Sequence, residues 1–295
     1  MDNGAIQIGD VTITRVEESY GAGFPISMMI PAWDEAVRDE QGAATIAQHV
    51  EPSTDLALQS VHTWVVRTPQ KTILVDLCNG NHKQRAIETM SMLNTDWLER
   101  LVASGVKPDD VDAVVCTHLH LDHVGWNTML AGTEWVPTFP NARYFVNRDE
   151  FAFWNPEAND QTGLEFNANV FDDSVRPVFD RDLVELWSGN DYTVDDYLHL
   201  ELAPGHTPGH SVGWIESNGA CAVLSGDSMH SAVQIYRPEW NSAFCIDGDN
   251  AAATRRDLLE KCVERDAVLL PAHFSAPHAF RVVDRADGFG ALDAL

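Results

Sequence analysis

The sequence predicts an α/β fold in which two β-sheets pack face to face and helices cover their outer faces. Strand-like runs alternate with helix-like segments in both halves of the chain, and this succession favours layers of sheet and helix. The length of 295 residues fits one large α/β domain better than several small ones. We therefore expect a single domain over residues 1–295.

The first half of the chain contains the strands expected for one sheet. Runs rich in β-branched residues, bounded by turn formers, predict strands over 6–18, 61–67, 72–76 and 112–116. Thr95 suits a helix N-cap, and an apolar face follows it, so a helix is predicted from there to about Gly105. Residues 20–55 mix Gly, Pro and acids without periodicity, which predicts an irregular segment over the sheet, with a lid as one interpretation.

The second half repeats the alternation after an aromatic-rich insert over 126–199. Strands are predicted over 198–202, 211–216 and 220–224, a helix over 251–265, and a final strand pair near Val268 and Phe280. The two halves thus share one strand–helix–strand pattern, which favours a two-sheet sandwich.

The charge of the chain excludes several classes of partner. Lys and Arg total 19 against 45 Asp and Glu, a formal charge of −26, which repels nucleic acids and anionic membranes. No signal peptide or membrane-spanning run is apparent, so a cytoplasmic location is expected. The five cysteines form no C-x-x-C pair and are interpreted as buried free thiols: Cys78, Cys116, Cys221, Cys245 and Cys262.

A cluster of metal-ligating residue types follows the strand at 112–116. His118, His120, Asp122 and His123 form an H-x-H-x-D-H motif, and imidazole with carboxylate suits zinc and similar divalent ions. The loop after a buried strand opens at the carboxyl edge of a sheet, where side chains reach a crevice. The motif therefore predicts a metal site.

Three further candidate ligands each follow a predicted apolar strand. His206 lies in P-G-H-T-P-G-H, Asp227 in S-G-D and His273 in P-A-H-F. His210, in the first of these motifs, is interpreted as a structural hydrogen-bonding residue because the ligand positions are already filled.

With these motifs in this order, the sequence resembles the metallo-β-lactamase superfamily, and within it the dinuclear quorum-quenching-type lactonases and organophosphate-hydrolase-like esterases. The resemblance implies an αββα sandwich of two mixed β-sheets flanked by helices. It implies two divalent metal ions, zinc by default, with manganese, iron or cobalt as alternatives. By this resemblance, one ion would bind His118, His120 and His206. The other ion would bind Asp122, His123 and His273, and Asp227 would bridge the two ions. Asp76 would support the ligands.

Two adjacent ions favour hydrolysis, because they can share a hydroxide and polarise a substrate oxygen. The predicted reaction is attack of a metal-bridging hydroxide on a small-molecule lactone or carboxylic ester. Asp122 and Asp227 are predicted to act in catalysis, Asp227 by passing a proton to the leaving alkoxide. Hydrolysis of phosphotriesters or aryl esters is the alternative, and a non-catalytic metal-binding protein is a further one.

Substrate recognition is predicted from a departure from the lactonase pattern. Those lactonases commonly have a tyrosine three residues after the bridging aspartate, where this chain has His230. His230 is the candidate hydrogen-bond donor to the substrate, with Gln234 and Tyr236 as weaker ones. The aromatic insert and the Met28–Met29 pair are candidates for the walls of an apolar pocket, so a partly hydrophobic substrate is expected. A homodimer through strand edges or the N-terminal segment is a further expectation.

Overall fold

The computed structural model describes residues 4–39, 45–46, 48–286 and 288–294. Its first half forms one sheet and a separate hairpin. In chain order the strands are Ile6–Ile8 (β1), Val11–Pro25 (β2), Leu56–Arg67 (β3), Thr72–Val75 (β4), Ala113–Val115 (β5), Thr128–Ala131 (β6), Glu134–Pro137 (β7), Arg143–Asn147 (β8) and Val184–Trp187 (β9). The sheet has the order β1-β2-β3-β4-β5-β8-β9, while β6 and β7 pair with each other. Strands β1 to β4 are antiparallel, and β4, β5, β8 and β9 are parallel.

The second half forms the other sheet, whose strands lie side by side in chain order. They are Asp191–Thr193 (β10), Leu198–Leu202 (β11), Ser211–Ser217 (β12), Ala220–Gly226 (β13), Val268–Pro271 (β14), Phe280–Arg285 (β15) and Gly288–Asp293 (β16). Only the β13–β14 pair among these is parallel. Both sheets are therefore mixed, as predicted.

Six α-helical segments occur in the described part of the chain. They are Ile26–Met29 (α1), Trp97–Ala103 (α2), Arg148–Trp154 (α3), Arg176–Phe179 (α4), Val233–Tyr236 (α5) and Gly248–Glu264 (α6). The predicted start of α2 is shifted by one residue, because its N-cap is Asp96 and not Thr95. None of the described helices combines the length and the apolar composition that a bilayer crossing requires.

Three apolar clusters define the layers. Between the sheets, Trp64 and Val115 of the first sheet share a buried cluster with Leu200 and Leu224 of the second. On the outer face of the first sheet the cluster includes Val114 and residues of α2, and on the outer face of the second it includes Val223 and residues of α6. This arrangement confirms the predicted αββα sandwich. That one domain spans the whole chain stays a prediction.

The structure corrects part of the prediction for residues 20–55. Residues 20–25 are not irregular: they continue β2, which pairs with β3 as far as Pro25 and Leu56. The pairing shifts register near Glu17 and again before Pro25, which allows the long ribbon to bend. Helix α1 follows, and residues 40–44 and 47 lie outside the described residues. The lid interpretation stays a prediction.

Candidate metal centre

All seven predicted ligands meet at one edge of the two sheets. His118, His120, Asp122 and His123 lie in the loop after β5, whose neighbour β4 ends just before Asp76. His206 follows β11, Asp227 follows β13 and His273 follows β14. The ligand atoms form two groups, one with His118, His120, His206 and Asp227 and one with Asp122, His123 and His273.

The first group has three histidine nitrogens in contact. Nε2 of His206 lies 3.1 Å from Nε2 of His118 and 3.0 Å from Nδ1 of His120. The Oδ2 atom of Asp227 lies 3.4 Å from the same nitrogen of His206 and 3.8 Å from Nε2 of His118. The second nitrogen of His118, Nδ1, contacts Oγ1 of Thr117 at 3.1 Å, which fixes the ring.

The second group is equally compact. Nε2 of His123 and Nε2 of His273 are 3.2 Å apart, and the carboxylate oxygens of Asp122 lie 3.7 and 3.6 Å from these two atoms respectively. Oδ1 of Asp227 lies 3.0 Å from His273 Nε2. The two oxygens of Asp227 thus approach the two groups from between them.

These separations test whether the residues fit metal ions. Ligands bound tetrahedrally to zinc at 2.0–2.1 Å lie about 3.3 Å from one another. The nitrogen contacts of 3.0–3.2 Å within the two groups approach that value. Asp227 belongs to the first group and also lies 3.4 Å from His123 and 3.0 Å from His273 of the second. Counted twice, it gives each group four donors, and this donor set fits two divalent cations.

The protonation of the histidines in the first group favours the same interpretation. Burial, with the neighbouring histidines, holds the pKa of His118 and His206 well below the ordinary value, and burial lowers the pKa of His120 to about 3. These three imidazoles are therefore neutral at pH 7 and have lone pairs available. In the second group burial lowers the pKa of His123 and His273, but Asp227 and the neighbouring carboxylates outweigh burial and raise it. Burial alone would raise the pKa of Asp227, but His273 and His123 outweigh it and hold that pKa low, so Asp227 is ionised.

Asp76 supports the centre as the resemblance implies. Its Oδ2 accepts hydrogen bonds from His123 Nδ1 at 2.9 Å and from the Thr117 hydroxyl at 2.8 Å, and Oδ1 accepts one from the Thr117 amide at 2.9 Å. His273 is held in the same way, because its Nδ1 donates to the carbonyl of Ser60 at 3.0 Å. These bonds leave Nε2 of both rings directed at the centre.

His210 lies behind the ligands, as predicted. Its Nδ1 donates to the carbonyl of Ala203, and its Nε2 accepts a hydrogen bond from the backbone amide of Asp227 at 3.0 Å. Gly226 makes this approach possible: its φ is +48°, and a Cβ added there would lie 2.7 Å from His210 Nε2. The S-G-D motif therefore requires glycine before Asp227.

Glu150, on α3, is a supporting residue that the sequence analysis missed. One of its oxygens accepts from the amide of Leu119 at 2.9 Å and from the Trp154 indole at 2.7 Å, and the other accepts from the amide of Gly209 at 3.0 Å. Burial raises the pKa of this carboxyl, and the hydrogen bonds oppose the shift. The sequence contains a signal that could have identified it, because Glu150 is an acidic residue on the face of the helix that also carries Phe151 and Trp154.

A pocket with an empty volume of about 540 Å³ opens onto the centre. His120, Asp122, Asp227 and His273 form part of its lining. Most of the remaining wall is apolar and includes Phe24, Val61, Met90, Phe166 and Phe244. The pocket thus combines candidate metal ligands with a largely apolar wall.

His230 lies in this pocket, while the weaker candidates do not. Its Nε2 is 3.2 Å from Oδ2 of Asp227, and both ring nitrogens lack a hydrogen-bond partner among the described residues. Gln234 instead accepts from the His230 amide at 2.7 Å, and the Tyr236 hydroxyl accepts from the Ala291 amide at 3.3 Å. Of the three candidates, His230 is therefore the one whose side chain lines the pocket.

The methionine pair does not line the pocket. Met28 is exposed, and Met29 is buried in the outer cluster of the second sheet. The pocket walls come instead from Phe24 at the end of β2 and from Phe166 of the aromatic insert. The cysteines are free thiols, and four are buried while Cys245 is partly exposed.

Comparison with known proteins agrees with this geometry. A family model described as the metallo-beta-lactamase superfamily matches residues 57–273. The N-acyl homoserine lactonase AttM of Azorhizobium caulinodans is 33% identical over 117 residues, which cover 37% of this chain and 37% of that protein. An N-acyl homoserine lactonase of Bacillus cereus is 26% identical over 120 residues, 41% of this chain and 39% of that protein. The chain thus matches less than half the length of these curated relatives.

Solved structures show the same fold over nearly the whole chain. The hydrolase AbOPH in the beta lactamase superfamily superposes with a TM-score of 0.79 at 22% identity, covering 99% of this chain and 97% of that one. AidC, a dizinc quorum-quenching lactonase solved with a product, gives a TM-score of 0.77 at 21% identity, with 99% and 97% coverage.

Proposed function

Because the chain belongs to the metallo-beta-lactamase superfamily, we propose that it is a dinuclear metallohydrolase that cleaves lactones or carboxylic esters. One observation carries the proposal: seven His and Asp donors converge in two adjacent groups at the base of a largely apolar pocket. One ion would be held by His118, His120 and His206. The other would be held by Asp122, His123 and His273, and Asp227 would contact both ions. The lactonase relatives support a lactone as the substrate.

The ions, when bound, supply Lewis acidity and a water of lowered pKa. Residues of the chain carry out the proton transfer and stabilise the developing charge. Asp227, ionised and buried between the two groups, accepts a proton from the attacking water and delivers it to the alkoxide that leaves when the acyl carbon–oxygen bond breaks. His230, 3.2 Å from Asp227, donates a hydrogen bond to the substrate oxygen on which negative charge develops.

The walls of the pocket select the rest of the substrate. Phe24, Met90 and Phe244 exclude water and favour an apolar acyl or alkyl chain. No lysine or arginine occurs among the lining residues in the described part of the chain, so a neutral ester or lactone is favoured over an anionic one.

A substrate panel with the zinc-, manganese- and cobalt-loaded protein tests the proposal. We expect kcat/KM to be highest for acylated lactones or carboxylic esters and lower for phosphotriesters. If phosphotriesters or aryl esters are the best substrates, the alternative activity is correct.

Variants connect that activity to the centre. We expect Asp227→Asn and His118→Ala each to lower kcat/KM at least about a hundredfold, because each removes a ligand. His199→Ala is the matched control, since His199 lies on β11 and contacts Thr193 away from the pocket. Metal content and circular dichroism show whether each variant is folded. Full turnover by folded Asp227→Asn, or a two-metal protein inactive on every substrate, would contradict the proposal.

A further inference from the structure

A loop over residues 81–95 supplies one wall of the pocket. Ile87 and Met90, near the middle of this loop, line the pocket. Two hydrogen bonds close the base of the loop: Asn81 Nδ2 donates to the Thr95 carbonyl at 2.8 Å, and the Thr95 amide donates to Asn81 Oδ1 at 2.8 Å. These bonds fix the ends of the loop, so the position of its middle depends on contacts that the middle itself makes.

Lys83, Arg85 and Asp173 form a buried ion cluster that connects this loop with the aromatic insert. Arg85 donates to the two carboxylate oxygens of Asp173 at 2.6 and 2.9 Å. Nζ of Lys83 lies 3.3 Å from Oδ1 of Asp173, and it donates to the Asp173 carbonyl at 3.2 Å and to the Thr128 hydroxyl at 2.8 Å. The three charged residues are at most 7% exposed, so these contacts are shielded from solvent.

The charges of the ion cluster are not balanced. Among the described residues, Asp173 is the acid that pairs with either cation, so Lys83 and Arg85 share one carboxylate. A buried ion group of this kind contributes little net stability, because the desolvation of its charges offsets their attraction. It does fix geometry, because a bidentate pair of arginine and carboxylate permits a narrow range of orientations. The contribution of the ion cluster is therefore to the placement of the loop relative to the insert.

The insert is itself attached to the candidate metal centre. Phe166 lines the pocket, and the centre of its ring lies 5.3 Å from that of His120. The next residue, Asn167, donates to the carbonyl of Leu119 at 3.0 Å, between two candidate ligands. The ion cluster thus fixes the 81–95 loop to a segment whose position is set by the ligand loop.

We propose that Lys83, Arg85 and Asp173 are positioning residues that set the place of the 81–95 loop and with it the width of the pocket. The inference rests on the function above, which places the reacting carbonyl at the centre. None of the three residues belongs to the lining of the pocket in the described part of the chain, so they act through Ile87 and Met90 and not by contact with a substrate. Loss of the ion cluster should loosen the apolar wall and leave the ligands in place.

Two neutral lactones that differ in alkyl length test this inference: γ-valerolactone carries a methyl group and γ-undecalactone a heptyl group. Asp173→Asn removes the shared carboxylate. Asp172→Asn is the matched control, because Asp172 is the neighbouring acid but is exposed and pairs with Arg176 at the surface. A milder second variant is Lys83→Met, which keeps the bidentate pair of Arg85 and Asp173.

Three measurements are made on each metal-loaded variant. They are kcat and KM for both lactones, the Kd of 1-octanol as an apolar ligand that does not react, and hydrogen exchange at the amide of Met92. This amide donates to the carbonyl of Lys83 at 2.7 Å and therefore reports on the loop.

We expect Asp173→Asn to raise KM for γ-undecalactone about five- to tenfold and to change kcat less than about twofold. KM for γ-valerolactone should stay within about twofold, because a methyl group has little apolar surface to bury. Lys83→Met should act in the same direction by a smaller factor. Exchange at Met92 should accelerate in Asp173→Asn and not in Asp172→Asn.

Equal changes on both lactones, or a folded Asp173→Asn variant that keeps the wild-type KM values and the wild-type exchange at Met92, would overturn the inference. If Asp173→Asn does not fold, an unchanged ratio of the two KM values in Lys83→Met overturns it. If neither lactone is hydrolysed but 1-octanol binds more weakly to Asp173→Asn than to Asp172→Asn, the proposed function fails and this inference stands.

Discussion

Asp76 acts on the candidate centre through His123 and not by direct ligation. It accepts the Nδ1 proton of His123, which leaves Nε2 as the ligand atom, and it also binds the amide and hydroxyl of Thr117. A carboxylate in this position orients the imidazole and increases its basicity. We therefore expect the affinity for an ion held by the second group to depend on Asp76.

We predict that Asp76→Asn weakens binding of the ion held by Asp122, His123 and His273 about 10- to 100-fold, because an amide cannot accept all three hydrogen bonds. Binding of the other ion should change less. Titration with a competing chelator measures the two affinities, and Asp180→Asn, on an exposed aspartate, is the control. Equal weakening of both ions would contradict the role assigned to Asp76.

Single residues differed in how far the sequence could predict them. The candidate ligands were predictable, because His118, His206, Asp227 and His273 each follow a strand whose end faces the same edge. Glu150 was not, because the amides that it binds, those of Leu119 and Gly209, lie far away in the chain. Met28 and Met29 were assigned wrongly, since composition does not show which way a short helix turns its side chains.

At the scale of elements, helix α3 connects the ligand loops of the two sheets. Through Glu150 it binds the amide of Leu119, between two candidate ligands after β5, and the amide of Gly209, in the loop of His206 after β11. The fit is close, because a Cβ added to Gly209 would lie 2.3 Å from the Glu150 backbone nitrogen. The helix therefore sets the spacing between the two loops that supply the three histidines of the first group.

We predict that Glu150→Gln weakens the ion of the first group about tenfold or more and affects the second ion less, because an NH2 group replaces an acceptor of backbone protons. The control is Glu165→Gln, which changes an exposed acid in the same insert. Metal analysis after dialysis against graded chelator distinguishes the ions. Unchanged affinity of the first group in a folded Glu150→Gln variant would show that α3 does not position these loops.

Elements were predictable where the local pattern was strong. The strands leading to the ligands and helix α6 lie close to their predicted bounds, because each combines apolar periodicity with clear turn residues. The end of β2 was missed, since residues 20–25 hold two glycines and a proline and gain strand structure only by pairing with β3. Strand β16 was missed for the same reason, as it forms a hairpin with β15.

At the scale of the whole molecule, the candidate centre joins the two halves of the sandwich. The loop after β5 belongs to the first sheet, while His206, Asp227 and His273 belong to the second. Each of the two donor groups includes residues from both sheets. Ions bound here would cross-link the layers at one edge, in addition to the apolar cluster between them.

Removing the metal is therefore expected to destabilise the molecule as a whole. Each ion present at about 1,000 times its Kd adds about 4 kcal/mol, so two ions add about 8 kcal/mol, which for a chain of this size corresponds to roughly 13 °C in Tm. We predict a fall of that order on chelation, recovered when zinc is added back. Hydrogen exchange should accelerate in the ligand loops of both sheets, including the amides of Leu119 and Gly209, because the donor side chains of these loops lose their common partner. Exchange that accelerates in the loops of one sheet only would show that the ions do not connect the two halves.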